Sequence, residues 1–125
     1  MIFLIDGYNL MHQLDLKAKE LEGKREEIAA LVTEFLSINS GTAVLVFDGH
    51  SNPSQHRGRE LKGKITVVFS ARGETADDVL MEMMKKRKGR ARDHLLITND
   101  RRLKEFAAEE SVRVMDATEF AGYFE

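Results

Sequence analysis

Short, continuous apolar runs alternate along the chain with segments whose apolar residues recur every three or four positions. The continuous runs are IFLI at 2–5, AVLVF at 43–47, ITVVF at 65–69 and LLIT at 95–98, with a weaker VRVM at 112–115. Runs of this kind are typical of parallel strands that are covered on both faces. The pattern therefore predicts a sheet of about five strands.

Helical spacing appears between these runs. It links Ile28, Leu31, Val32, Phe35 and Leu36, then Val79, Leu80, Met83 and Met84, and finally Leu103, Phe106 and Ala107. An alternation of strands and helices predicts an α/β fold with a parallel sheet. The length of 125 residues suits one domain, and we find no composition shift that suggests a second one within 1–125.

The least regular segment is DGHSNPSQHRGRELKG at 48–63. Its content of Gly, Pro, Ser and Asn predicts a long, mobile loop. Loops of this length inside a compact domain usually serve a function or are disordered.

Composition excludes several kinds of site and of location. The chain has no cysteine, so a disulfide framework and a thiolate zinc site are both excluded. Its 19 Lys and Arg against 21 Asp and Glu neither require nor exclude a nucleic acid partner. The apolar run near the amino terminus is far too short for a signal or membrane segment. We expect a soluble, cytoplasmic protein without a membrane partner.

Aspartates follow three of the predicted strands. Asp6 ends the first run, Asp48 follows the second, and Asp100 comes just after Thr98 of the fourth. Because the carboxyl ends of parallel strands lie at one edge of the sheet, where ligands bind in α/β folds, we expect these three carboxylates to converge.

A fourth carboxylate comes from GETADDVLMEMM at 73–84. Thr75 and Asp78 have the spacing of a capping box, which gives Asp78 a structural role at a helix start. Asp77 projects close to Met84, at the border of the apolar stripe of that helix. We therefore expect Asp77, and not Asp78, to face the sheet edge.

Each of these polar residues also has a purely structural interpretation. Asp48 and Gly49 form a common turn pair, and Asp100 or Asn99 is a suitable cap for the next helix.

Two further side chains beside the aspartates are equally open to two interpretations. Asn9 and Thr98 are suited to orient water or a phosphate oxygen, with Asn99 in the same supporting role, but helix capping explains them as well.

A bound divalent metal would explain a cluster of carboxylates. Carboxylates that lie close together repel one another unless a cation compensates. Oxygen ligands without cysteine or paired histidines favour Mg²⁺ or Mn²⁺. Such an ion activates water for attack on a phosphodiester, so no protein nucleophile is needed. This hypothesis requires that Asp6, Asp48, Asp77 and Asp100 lie close together.

Four motifs resemble the YacP-like branch of the NYN domain family, which belongs to the PIN-like nucleases. They are IDGYNLM at 5–11, VFDG at 46–49, GETADD at 73–78 and ITND at 97–100. The resemblance implies an α/β/α sandwich with strand order 3-2-1-4-5 and a metal-dependent ribonuclease site. By motif, it implies catalytic roles for Asp6, Asn9, Asp48, Asp77 and Asp100, with the four aspartates as metal ligands.

Basic residues supply candidates for contact with single-stranded RNA. Arg57, Arg59 and Lys62 follow Asp48, and Arg72 leaves the third predicted strand at the same edge. Contacts of these side chains with phosphate would position a strand without reading its sequence. The basic run KKRKGRAR at 85–92 either contacts RNA or complements the end of a helix.

Tyr8 either stacks on a base or packs in the core. The main alternative to a ribonuclease is a catalytically inactive module that binds RNA or a protein. A protein partner or a second copy of the chain stays open for either function.

Overall fold

A twisted sheet forms the centre of the protein. The computed structural model describes residues 1–49 and 53–124. Within them the strands are β1 (Ile2–Asp6), β2 (Thr42–Phe47), β3 (Gly58–Lys62), β4 (Ile65–Phe69), β5 (His94–Ile97) and β6 (Arg113–Met115). They form one six-stranded sheet in the order β3-β4-β2-β1-β5-β6.

The five strands that the apolar runs predict are all present and all parallel. Numbered among themselves, they have the order 3-2-1-4-5, which confirms the order that the family resemblance implies. The sixth strand, β3, pairs antiparallel with β4 at the edge of the sheet.

Helices cover both faces of the sheet. In chain order they are α1 (Gly7–Met11), α2 (Leu21–Ile38), α3 (Ala76–Lys86), α4 (Arg101–Glu109) and α5 (Ala117–Ala121), with 3₁₀ turns at Lys88–Asp93 and Gly122–Phe124. Among the described helices, none has both the length and the apolar character needed to cross a membrane.

The core has two halves, one on each side of the sheet. Successive residues of a strand point to opposite faces. In β1, Phe3 and Ile5 belong to the half that packs against α1, α2 and α5, whereas Leu4 belongs to the half that packs against α3 and α4. Because both faces are buried, the strands are continuous apolar runs, and the predicted α/β/α sandwich is confirmed.

The prediction of a loop over the whole of 48–63 is wrong in its second part, where β3 lies. This strand has the sequence GRELK and no apolar alternation, and its Leu61 is 76% exposed. A sharp turn at Gly63, with φ of 62°, connects it to β4. Charged residues on an edge strand discourage pairing with other chains. Residues 50–52 of the predicted loop lie outside the described residues.

Candidate active site

The carboxyl ends of β1, β2 and β5 lie side by side at one edge of the sheet. Asp6 is the last residue of β1 and pairs with Val46 in the register of β2, one residue before Phe47 ends that strand. Asp48 follows β2, and Asp100 is the N-cap residue of α4, shortly after β5. The structure therefore brings the three strand-end aspartates to one edge, as the sequence predicts.

Gly7 allows helix α1 to begin directly after Asp6. A Cβ atom added at this position would lie 2.4 Å from the Phe47 ring and 2.8 Å from the Val46 carbonyl oxygen. Real Cβ atoms do not approach other atoms so closely, so only glycine permits the chain to turn against β2 here. This close approach fixes where the Asp6 carboxylate points.

Thr98 connects Asp6 to the loop that carries Asp100. Its hydroxyl donates to Asp6 Oδ2 at 3.0 Å and accepts from the backbone N–H of Asp100, also at 3.0 Å. Asp100 in turn caps α4, because its Oδ1 accepts from the N–H of Leu103 at 2.9 Å. Asp100 thus has the capping role that the sequence left open, and it holds this role while lying at the acidic edge.

Asn9 and Asn99 fasten the neighbouring loops. Asn9 Oδ1 accepts from the backbone N–H of Asn99 at 2.7 Å. The Asn99 side chain donates to Thr118 Oγ1 at 3.0 Å and so reaches the start of α5. In these contacts both residues position the loop after β5.

Asp48 is oriented by Ser70, a residue to which the sequence pattern gives no role. Ser70 follows β4, is 0% exposed, and directs its hydroxyl to Asp48 Oδ1 across a long distance of 3.5 Å. The Ser70 hydroxyl oxygen also accepts from the N–H of Gly49 at 2.8 Å. In the sequence, the role of Ser70 is indicated only by its position immediately after a buried strand.

The start of α3 confirms the predicted difference between Asp77 and Asp78. Thr75 Oγ1 accepts from the N–H of Asp78 at 3.1 Å, and Asp78 Oδ2 accepts from the N–H of Thr75 at 3.0 Å. These two bonds are a complete capping box. Asp77 is half-buried and faces the other carboxylates instead.

The pKa values of Asp6 and Asp77 show that the carboxylates are close enough to affect one another. Burial raises the pKa of Asp6 to about 6. The hydrogen bond from Thr98 lowers this pKa, and the charges of Asp77 and Asp100 raise it. The pKa of Asp77 is also raised, first by burial and then by the charge of Asp100, with a smaller contribution from Asp48. Burial and neighbouring carboxylates therefore both disfavour the ionised forms of Asp6 and Asp77.

The chemistry of these donors fits a hard divalent cation. All four are carboxylates, and a cation would relieve the repulsion that raises the pKa values of Asp6 and Asp77. Among the described residues, however, no three His, Cys, Asp or Glu side chains are already arranged to hold a metal ion. Metal binding would thus require these side chains to draw together.

Arg102 lies beside the acidic edge, and the sequence pattern does not single it out. It is an exposed residue in the first turn of α4, two positions after Asp100. Its positive charge lowers the pKa of Asp77, against the larger effects of burial and of Asp100. The neighbouring Arg101 instead pairs with Glu105 at 3.3 Å along the helix. The NDRR sequence after β5 is the signal that identifies Arg102 in retrospect.

Arg57 links the segment before β3 to helix α3. Its guanidinium donates to Glu74 Oε1 at 2.9 Å and Oε2 at 2.7 Å, and it also contacts Glu82. The pKa of Glu74 is lowered, chiefly by the Arg57 hydrogen bonds. Arg57 therefore has an internal structural role, while its contact with RNA stays a prediction.

The other basic residues differ in where they lie. Arg59 on β3 and Arg72 after β4 are exposed, whereas Lys62 is within 3.6 Å of Glu60. Tyr8 packs against Phe47 with ring centroids 5.0 Å apart, which supports packing in the core as the role of this side chain.

The basic run at 85–92 lies at the far edge of the sheet. Helix α3 starts at the acidic edge and leads away from it, and the 3₁₀ turn that follows leads into the amino end of β5. Within the run, Arg87 Nη1 is 2.9 Å from Nε2 of the buried His94. This position favours a structural role for the run over contact with a substrate at the carboxylates.

We expect Arg57→Ala to lower the free energy of unfolding, because it removes the guanidinium from Glu74 and Glu82 and leaves them only the Ala71 N–H and Lys86. A loss of about 1–2 kcal/mol is expected for such partly buried, charged hydrogen bonds. Arg59→Ala, an exposed arginine two residues away, is the matched control and should change stability little. Urea unfolding of both variants checks this, and equal stability of the two would show that the Arg57 cluster contributes nothing.

A mostly parallel sheet covered by helices, with aspartates at its carboxyl edge, is the architecture of a PIN-like domain. The family model of the YacP-like NYN domain matches residues 3–125, and the chain belongs to that family.

The similar proteins include one from Bacillus subtilis (strain 168) described as uncharacterized protein YacP. The two are 32% identical over 81 residues, which cover 62% of this chain and 47% of that protein. The chain thus spans about half the length of the curated relative it matches.

Two crystal structures of Rae1 (YacP) from Bacillus subtilis, one of them of a mutant, have the same fold. They superpose with TM-scores of 0.80 and 0.78 at 23% sequence identity. The superpositions cover 98% and 99% of this chain, and 74% and 73% of those chains. This likeness shows the fold, while the family model over residues 3–125 confirms the family resemblance of the four sequence motifs.

Proposed function

We propose that this protein is a Mg²⁺- or Mn²⁺-dependent ribonuclease that hydrolyses single-stranded RNA at the acidic edge. The observation that carries the proposal is the convergence of Asp6, Asp48, Asp77 and Asp100 at one edge of the sheet. Burial raises the pKa of Asp6 to about 6, and the charges of Asp77 and Asp100 add to this increase. A divalent cation bound at this edge would relieve the repulsion between the carboxylates. Membership of a nuclease-like family supports the same conclusion.

The four aspartates would hold the metal, each through carboxylate oxygens. The chemistry that bound Mg²⁺ or Mn²⁺ supplies is activation of water and neutralisation of charge on the phosphodiester. The chain itself contributes orientation. Thr98 keeps the Asp6 carboxylate directed at the edge through its 3.0 Å hydrogen bond, and Asn9 fixes the loop that carries Asp100.

RNA would be held by exposed cations around this edge. Arg102 would contact the phosphate that reacts, and its electrostatic interaction with Asp77 supports this role. Arg59 and Arg72 would contact phosphates of the same strand further away. Such contacts position RNA without reading its sequence, so these residues contribute mainly to affinity.

A cleavage assay with single-stranded RNA tests the proposal. The protein should cleave with Mg²⁺ or Mn²⁺ and stop when EDTA is added, and Asp77→Asn should be inactive under all conditions. Retention of RNA by filter binding with no cleavage in either metal would contradict the proposal. That result would support the alternative of an inactive RNA-binding module.

Arg102→Ala should lower the cleavage rate at saturating RNA by about tenfold or more, because a cation facing the reacting phosphate stabilises charge in the transition state. Arg101→Ala is the control, since it removes the same charge from the neighbouring position but from a side chain paired with Glu105. Single-turnover rates separate the two. If both variants lose activity equally, Arg102 acts only through the general positive charge of the helix start.

A further inference from the structure

A side pocket lies next to the acidic edge, between helix α2 and the strands β3 and β4. Its volume is about 300 Å³. Its inner lining combines the half-buried Arg25 and Phe69 with the buried Ala29, Phe47 and Val67, and its charged outer lining consists of Glu22, Glu26, Glu60 and Lys62. The role proposed above for the acidic edge does not involve this pocket.

Flat groups are prominent in the lining of the side pocket. Phe69 is half-buried and stacks on Phe47, with ring centroids 5.8 Å apart and an angle of 26° between the planes. The Arg25 guanidinium lies over both rings, 5.2 Å from the Phe69 centroid and 6.0 Å from the Phe47 centroid. Aromatic rings and arginine planes are the surfaces on which unstacked bases of single-stranded RNA stack.

The outer lining of the side pocket selects against phosphate. Glu60 is within 3.6 Å of Lys62, which balances its charge, but Glu22 and Glu26 add two further carboxylates. Carboxylates only accept hydrogen bonds, and they repel a phosphate group. They suit a neutral ring that offers adjacent N–H donors. Guanine has this arrangement on its Watson–Crick edge, where its ring N–H and amino group can both donate to one carboxylate.

The side pocket is connected to the acidic edge through neighbouring residues on two strands. Phe69 directly precedes Ser70, whose hydroxyl contacts Asp48 at 3.5 Å. Arg25 Nη1 donates to the Tyr8 hydroxyl at 3.1 Å, and Tyr8 lies two residues after Asp6. These contacts link the pocket lining to Asp48 and to the residues after Asp6, so the phosphate of a nucleotide bound in the pocket would lie on the side of the carboxylates.

We propose that the side pocket binds a guanine base of single-stranded RNA next to the bond that is cut. This gives the protein a base preference, and the inference rests on the ribonuclease function proposed above. Phe69 and Arg25 supply stacking, and a carboxylate of the outer lining accepts from the guanine edge.

Binding and cleavage are measured separately, so that failure of this inference and failure of the nuclease proposal are distinguishable. The probes are uridine oligomers that carry one guanine, adenine or cytosine at a central position. RNA affinity is measured with the Asp77→Asn variant in EDTA. Cleavage is measured with the unsubstituted protein and Mn²⁺. We expect the guanine oligomer to bind about five- to tenfold more tightly than oligouridine, the lower end of what one stacked base contributes.

Two variants of the pocket test its part in this preference. Phe69→Leu keeps apolar volume but removes the flat ring, and Glu22→Gln combined with Glu26→Gln changes only exposed carboxylates. Both should bring the affinity for the guanine oligomer down to that for oligouridine. Tyr123→Leu removes an exposed ring elsewhere on the surface and should leave the preference intact.

The outcomes decide the inference in either direction. Preferred binding of guanine that both pocket variants remove supports it, even if no RNA is cut. Equal affinity for all four oligomers, a preference for another base, or a guanine preference that survives both variants would overturn it.

Discussion

Asp6→Asn should abolish RNA cleavage while RNA affinity stays nearly unchanged. The side chain would hold metal and not phosphate, so its loss removes stabilisation that exists only in the reaction. Several kcal/mol of such stabilisation correspond to about a 1000-fold lower rate. Single-turnover cleavage and RNA affinity, measured on the same preparations, check this. A variant that loses affinity in proportion to rate would show that Asp6 contributes to RNA binding.

The same substitution should stabilise the metal-free protein. Burial raises the pKa of Asp6 to about 6, so ionising it costs the folded state free energy at neutral pH. A shift of about two units corresponds to at most about 3 kcal/mol. The sign follows from the proton count: the folded state binds the proton more tightly, so this cost is present above pH 6 and disappears as pH falls towards 4.

Thermal unfolding in EDTA tests this gain in stability. Asp6→Asn should raise Tm by about 5 °C or more at pH 7.5, and by much less at pH 4.5. The exposed Asp15→Asn is the control and should behave like the parent at both pH values. If Asp6→Asn lowers Tm at pH 7.5, the carboxylate is not the strained group that its burial indicates.

Asp77→Asn and Asp78→Asn should have opposite effects although the residues are adjacent. Asp77 faces Asp100 and Asp48, so its substitution should remove cleavage and leave the fold intact. Asp78 completes the capping box with Thr75, so its substitution should cost at most about 1 kcal/mol of stability and leave cleavage close to that of the parent.

Each of these two variants is the control for the other, because both remove one negative charge from the first turn of α3. Urea unfolding and single-turnover cleavage of both variants are needed. An inactive Asp78→Asn together with an active Asp77→Asn would mean that the other face of the helix start serves the site.

Local sequence signals predict much of the fold. The five apolar runs become parallel strands because burial on both faces leaves no room for polar alternation, as in β1 and β2. The capping box at Thr75 fixes the phase of α3, and through it the direction of Asp77. Asp6 and Asp48 reach one edge simply because their strands are parallel.

Features that depend on distant contacts are not visible in the sequence. Strand β3 is polar and half-exposed, so only its pairing with β4 makes it a strand. The bond from Thr98 to Asp6 joins residues 92 positions apart. Arg57 contacts Glu74 and Glu82 only because the fold brings the segment before β3 next to the start of α3. None of these partners is recognisable from neighbouring residues.

The chemistry of the RNA ends tests the central claim most directly. Single-stranded RNA labelled at one end is incubated with the protein and Mn²⁺ or Mg²⁺, and the product ends are identified. Hydrolysis by activated water at the acidic edge predicts 5′-phosphate and 3′-hydroxyl ends, no products in EDTA, and none with Asp77→Asn. Products that end in 2′,3′-cyclic phosphate, or cleavage that EDTA does not diminish, would contradict a metal-dependent site built from these aspartates.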